Sequence, residues 1–394
     1  MFSDRIPREL TRNRLTAAVA ARRAERRDLI DLTETNPTRA GFDYPADLLA
    51  PLADVAALRY DPQPFGLPEA RHAVARDYER HGLRVDAERV VLTASTSDAY
   101  SQLFKLLTNA ADEVLVPRPS YPLFEHLTQL DLVVARRYDL EHHGTWSIDF
   151  SSVEHTIGPR TRAVLVVSPN NPTGSFITRD ELDRLAAICA PREIAIIADE
   201  VFADYELRPG SLAAAGRAID RDDVLSFTLG GLSKSIGLPQ AKLGWIVAAG
   251  PGPLVAAALE RLELVSDTYL AVSTPVQFAA ERLFGGGGGI RRQIAERVAA
   301  NYRSLRSLVT NVPACRVLRA DAGWSAVMQV PSLEREEDLV LRVLAEDGVL
   351  VHPGYFFDFV SESFVIVSLL VPPNLFEEGV TRLLRHFDCS RAGR

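Results

Sequence analysis

The sequence predicts an α/β fold: a large domain with a mostly parallel central sheet flanked by helices, plus a smaller α+β domain built from the N-terminal segment and the C-terminal third. Three observations carry this expectation. Short apolar, β-branched runs recur from about residue 88 without polar alternation, the signature of strands buried on both faces. Stretches with helical periodicity separate them. Beyond about residue 275 the order changes to an irregular mixture of strands and helices.

Taken in order, the stretch RELTRNRLTAAVAARRAERRD (residues 8–28) is Arg-rich. Asp4, Glu9 and Glu25 and the scarcity of serine argue against a transit peptide, so it reads as an exposed amphipathic helix. Residues 1–45 are assigned to an arm and part of the small domain, 46–274 to the large domain and 275–394 to the small domain. The predicted strands lie in RVVLTAS (89–95), DEVLVPRPSY (112–121), RAVLVVSPNN (162–171), EIAIIADE (193–200), DVLSFTLGGLSK (223–234) and KLGWIVAAG (242–250). TRDELDRLAAICA opens a helix with Thr178 and Glu181 in capping-box spacing and sets Leu182, Leu185, Ile188 and Cys189 on one side. GGGGG at Gly285–Gly289 follows a helical pattern rather than a strand, so it is no dinucleotide fingerprint; it reads as a flexible connection before a helix from Ile290 to about Val309. WSAVMQV and FVIVSLL supply small-domain strands, EREEDLVLRVLAEDG and LFEEGVTRLLRHF its helices.

A net charge of −8 gives no reason to expect a nucleic-acid partner, and no apolar stretch is long enough to span a membrane. Cys189, Cys315 and Cys389 are far apart and odd in number, which argues against a disulfide framework and for a reducing compartment, the cytoplasm.

In open parallel sheets ligands bind beyond the carboxyl ends of the strands. There the sequence places Ser95, Thr96 and Ser97, then Tyr121, Asn170 and Asn171, Asp199 and Lys234. The hydroxyl cluster at a helix start suits an anion, though ordinary capping explains it equally. Asp199 leaves a buried strand, where a carboxylate needs a cation or a cap to satisfy. Of 44 lysines and arginines only Lys105, Lys234 and Lys242 are lysine. Arginine cannot lose a proton and attack a carbonyl, so a lysine kept at a strand end points to imine chemistry.

SPNNPTG (168–174), ADEVFADY (198–205) and LSKSIGLPQAKLGW (232–245), in that order, resemble the class I and II aminotransferases, fold type I enzymes that use pyridoxal 5′-phosphate. The resemblance runs from about Leu32 to Leu384. It implies that Lys234 bonds the cofactor aldehyde and shuttles protons, that Asp199 pairs with the pyridinium nitrogen, and that Asn171 hydrogen-bonds the phenolic oxygen. It further implies that Tyr121 stacks on the ring and that Ser95, Thr96 and Lys242 hold the phosphate, with Ser97 and Ser233 also touching the cofactor. Tyr60 would reach the phosphate of a neighbouring subunit, which makes the enzyme a homodimer with shared sites. An amino donor and a 2-oxo acid acceptor would react in two half-reactions.

Three positions depart from the family pattern. Phe202 stands where a tyrosine commonly donates to the phenolic oxygen, Lys242 where arginine is commoner, and Ile366 where an arginine usually grips the substrate's α-carboxylate. Arg39 and His352 are the candidates to replace that arginine, with Thr35 in the same substrate-bordering loop as Arg39. The missing arginine also leaves room for a lyase, racemase or oxidase-like outcome on the same cofactor. A non-catalytic regulator on this fold would usually carry a DNA-binding domain, for which the residues before about Asp31 are too few.

Overall fold

The computed structural model describes residues 2–7, 11–361 and 363–387; Arg8, Glu9 and Cys389 lie outside them. The helix Arg14–Ala24 is largely exposed, with Leu15 its buried residue and Asn13 as its N-cap. It is followed by β1 (Ile30–Asp31). The large sheet is built from β2 (Val90–Thr93), β3 (Glu113–Arg118), β4 (Val134–His142), β5 (Trp146–Ile148), β6 (Thr161–Val167), β7 (Ala195–Asp199), β8 (Ser226–Gly231) and β9 (Gly244–Ala249), in the spatial order β2-β9-β8-β7-β6-β3-β4-β5. β9 runs against both its neighbours and β5 against β4; the remaining strands share one direction. The sheet is thus mostly parallel, as the unbroken apolar runs predict.

Side-chain alternation sends each strand's apolar residues to two separate cores. Val114, Leu165, Ile197 and Phe227 pack against the helices Thr96–Leu107, Leu123–Leu130 and Gly252–Tyr269. Leu115, Val164, Val166 and Ile196 pack on the other face against Phe150–Thr156 and Arg179–Cys189. The second of these helices carries the expected capping box, Thr178 and Glu181 each bonding the other's backbone N–H. Glu181 also accepts from Ile148 N at 2.8 Å, so one carboxylate holds both a helix start and the edge strand β5.

The C-terminal part adds β10 (Arg316–Val317), β11 (Ser325–Gln329), β12 (Val349–Leu350), β13 (His352–Pro353) and β14 (Phe364–Ser368). β12 pairs with β1, returning the N-terminal segment to this region, while β10-β11-β14-β13 form an antiparallel sheet. The helices Glu336–Asp347 and Pro373–Leu384 occupy the stretches expected of them.

The glycine run is not a flexible connection. Thr274–Thr310 is one continuous helix that contains all five glycines. Its glycines cost helix propensity, and packing explains why one of them is retained. A Cβ on Gly287 would stand 2.6 Å from Ile236 Cβ, so the bare backbone lets the helix lie directly against the segment after Lys234.

Candidate active site

Strand ends from the large sheet and one face of the small sheet enclose a cavity of about 540 Å³. It is lined by Ser95, Thr96, Ser97, Tyr121, Asn171, Asp199, Ser233, Lys234 and Lys242, and from the other side by Thr35 and His352. Eleven of the residues nominated from the sequence therefore share one space.

The anion end is set by β2 running into Ser95, the N-cap of Thr96–Leu107. Ser95 Oγ accepts from Asp98 N at 3.1 Å and Asp98 Oδ2 accepts from Ala94 N at 2.9 Å. The remaining first-turn N–H groups suit a negative group. Lys242 adds a cation from a left-handed backbone position, φ 54°.

Asp199 closes β7 and is buried. The Tyr100 hydroxyl donates to Oδ2 at 3.0 Å and the Val201 N–H to Oδ1 at 3.2 Å. Burial pushes its carboxyl up to about 6, although those two donors and the charge of Lys234 pull the other way. A cation placed in the cavity would keep the carboxylate ionised.

Lys234 sits in the short helix Leu232–Ser235 that follows β8. Burial holds its amine below the usual lysine range, with Asp199 opposing. Its Nζ lies 5.0 Å from the Trp324 ring and 5.5 Å from the Phe202 ring. The amine's backbone is fixed from behind: the Tyr205 hydroxyl donates to the carbonyls of Lys234 and Ser235, and Arg291 Nε donates to Ser235 O at 2.8 Å.

Asn171 is held by its own turn. Gly174 has φ 70°, a Cβ there would meet Ala322 O at 2.5 Å, and its carbonyl accepts from Asp321 N and Ala322 N. Asn171 Oδ1 accepts from Ser325 Oγ at 3.3 Å, which leaves its NH2 to donate to a ligand. Asn170 instead serves the scaffold, donating to Pro119 O and Thr173 Oγ1 and so anchoring the segment that presents Tyr121.

Two nominated residues lie elsewhere. Tyr60 is 71% exposed and lines a different depression, beside Gln63 and Gln277. Arg39 ends the 3-10 turn Pro37–Arg39, in which Asn36 accepts from the Thr38 N–H and hydroxyl; it is exposed and, unlike Thr35, does not line the cavity. Conversely, Tyr100, Trp324, Ser325, Phe356 and Phe357 line the cavity without having been nominated. Only the aromatic repetition of GYFF hinted at the last pair.

These side chains fit pyridoxal phosphate: an amine of lowered basicity, a buried carboxylate on the same cavity, a free amide NH2, and an anion-binding helix start opposite. Comparison with known proteins agrees. The family model "Aminotransferase class I and II" matches residues 52–383. The chain is 26% identical over 368 residues to glutamate-pyruvate aminotransferase AlaA of Haemophilus influenzae, covering 91% of this chain and 90% of that one. It is 26% identical to alanine aminotransferase of Mycobacterium tuberculosis over 364 residues, 84% of this chain and 79% of the relative. Among solved structures, an Escherichia coli aminotransferase superposes with a TM-score of 0.86 at 24% identity, covering 99% and 98% of the two chains. Alanine aminotransferase from Pyrococcus furiosus gives 0.84 at 23%, with 95% of each chain covered; both likenesses bear on the fold. The chain belongs to the class I and II aminotransferases and is a pyridoxal-phosphate-dependent transaminase of that family.

Proposed function

We propose that Lys234, Asp199 and Asn171 carry the transamination, and that the enzyme works as a cytoplasmic homodimer. The bound cofactor supplies an aldehyde for the amino group and a ring that withdraws electrons from the substrate's Cα. Lys234 Nζ would be the group that holds that aldehyde, and as a free amine of lowered basicity it would move the proton at the substrate's Cα. Asp199 would keep a proton on the ring nitrogen, for which a buried carboxylate with two donors already in place is preorganised. Asn171 Nδ2 would donate to the phenolic oxygen, Tyr121 would cover the ring, and Ser95, Thr96 and Lys242 would hold the phosphate end, with Ser97 and Ser233 also against the cofactor. The observation that carries this reading is the opening of a buried amine and a buried carboxylate onto one cavity.

The dimer is supported by Tyr60, an exposed aromatic outside the cavity of its own chain that suits a site on a second copy. The cytoplasmic assignment is supported by Cys189 and Cys315, which are buried free thiols; no helix among the described residues is long and apolar enough to cross a membrane. The names of the relatives make glutamate, alanine and pyruvate the first compounds to assay.

The test begins with borohydride reduction of the cofactor-loaded protein and peptide mapping, which is expected to find the adduct on Lys234. Amino acids are then expected to convert the cofactor to its amine form, and a 2-oxo acid to reverse the change. An adduct on another lysine, or none, removes the basis of the assignment.

A further inference from the structure

Ile366 and His352 are directly paired across β14 and β13, and Ser368 and Ser325 across β14 and β11. All four line the cavity. Directly opposed residues in a sheet share a face, so the imidazole stands beside the isoleucine that replaces the expected guanidinium. Most of the other polar groups on this wall are engaged. The Ser368 hydroxyl donates to Glu34 O at 2.6 Å, Ser325 is bound to Asn171, and the Thr33 hydroxyl donates to Asp31 Oδ1. His352 differs: its Nδ1 is buried without a hydrogen-bond partner. The ring is set between Phe356 and Phe357, with centroids 5.7 and 5.8 Å away. That nitrogen is closed off from the cavity as well, so it is the ring's other nitrogen, Nε2, neither enclosed nor hydrogen-bonded, that a ligand in the cavity can meet; leaving the enclosed Nδ1 as the bare acceptor puts the proton of the neutral ring on Nε2.

The basic side chains on the lining are Lys234, Lys242 and His352. Lys234 and Lys242 are committed to the cofactor's aldehyde and phosphate in the assignment above, on which this step rests. Arg39 is exposed off the wall. We infer that His352 is the specificity-determining residue that donates a hydrogen bond to the α-carboxylate of the amino acid or 2-oxo acid substrate. Burial keeps the free imidazole uncharged, with Asp31 the group opposing it, but a neutral imidazole still carries one N–H to donate. Ile366 then serves as the apolar floor beside that contact.

The experiment uses the cofactor-loaded enzyme and its His352→Phe and His352→Asn variants. The probe is whichever of L-alanine, L-glutamate and L-phenylalanine the parent converts fastest, followed by the visible band of the cofactor. Both variants are expected to keep the parent's resting spectrum and Lys234 adduct. His352→Phe is expected to raise KM about 10- to 100-fold, the span of one hydrogen bond to a charged group, with a smaller change in kcat. His352→Asn, which retains an N–H, is expected to recover part of that loss. The matching primary amine without a carboxylate should lose nothing in either variant. If His352→Phe keeps the parent's KM while its spectrum shows an intact site, this inference is overturned and the transaminase assignment stands. If the parent itself forms no Lys234 adduct, the assignment fails and takes the inference with it.

Discussion

Replacing Asp199 with asparagine in the cofactor-free protein isolates the cost of the buried carboxylate. Its carboxyl is held up at about 6 against an ordinary 3.8, burial being the main cause. Between those values the native state binds a proton more readily than the unfolded chain. The stabilisation is therefore complete below the unfolded value and is lost as pH rises through the folded one. A gap of about two units, at about 1.4 kcal/mol each, amounts to about 3 kcal/mol by neutral pH. Asparagine keeps an oxygen for the Val201 N–H and turns its NH2 to the Tyr100 oxygen, so the hydrogen bonds survive without the charge. Thermal melts of both cofactor-free proteins at matched concentration are expected to coincide near about pH 4, with the variant the more stable by about 3 kcal/mol at about pH 8. A difference that stays flat across that range refutes the reasoning. With cofactor bound the order reverses: the ring nitrogen loses its anionic partner, and kcat is expected to fall by roughly 10²–10³.

Phe202→Tyr restores a phenolic donor beside Lys234 and is expected to lower the pH midpoint of the holoenzyme's visible band by about one unit, read by spectrophotometric titration. Gly288→Ala adds a methyl with nothing within 4 Å and is expected to stabilise the helix by roughly 0.5–1 kcal/mol. Gly287→Ala drives the same methyl into Ile236 and is expected to cost about 1–3 kcal/mol in denaturant titrations, while moving the holoenzyme's spectrum. Arg217→Ala breaks a 2.7 Å buried ion pair and strands Glu200, with an expected loss of about 3–5 kcal/mol at neutral pH. Because burial raises the Glu200 carboxyl, that loss is expected to shrink in acid, where the group is protonated; chemical denaturation across pH checks both.

The central strands and the reactive amine were legible because their chemistry is local. An unbroken apolar run needs no partner to announce burial, and a lysine in an arginine-writing sequence stands out alone. β4 escaped notice because most of its residues are partly or fully exposed, Arg136 and Arg137 among them, so it lacks an apolar run. Strand direction is equally hidden: GWIVAA in β9 reads like its parallel neighbours, and only the pairing shows it reversed. The glycine run misled because composition favours flexibility while its context, the Ile236 contact, lies about 50 residues away in sequence. Tyr100 joins Asp199 from a helix face that reads simply as core, and nothing in the chain's order brings the two together. Arg39 was nominated from its loop, but only Thr35 of that pair lines the cavity, and nothing in the order of residues separates the two.

The grip on the amine's main chain has a practical bearing. Arg291 joins the Ser235 carbonyl to the Asp77 carboxylate, and Asp77 in turn binds Arg80, so the nucleophile is indexed to two distant helices by groups that never face the reactants. Redesign confined to the walls of the reaction chamber would leave those anchors untouched. Alleles that impair turnover should therefore also arise on the outer side of the β8 loop, where nothing about their location advertises a role in chemistry.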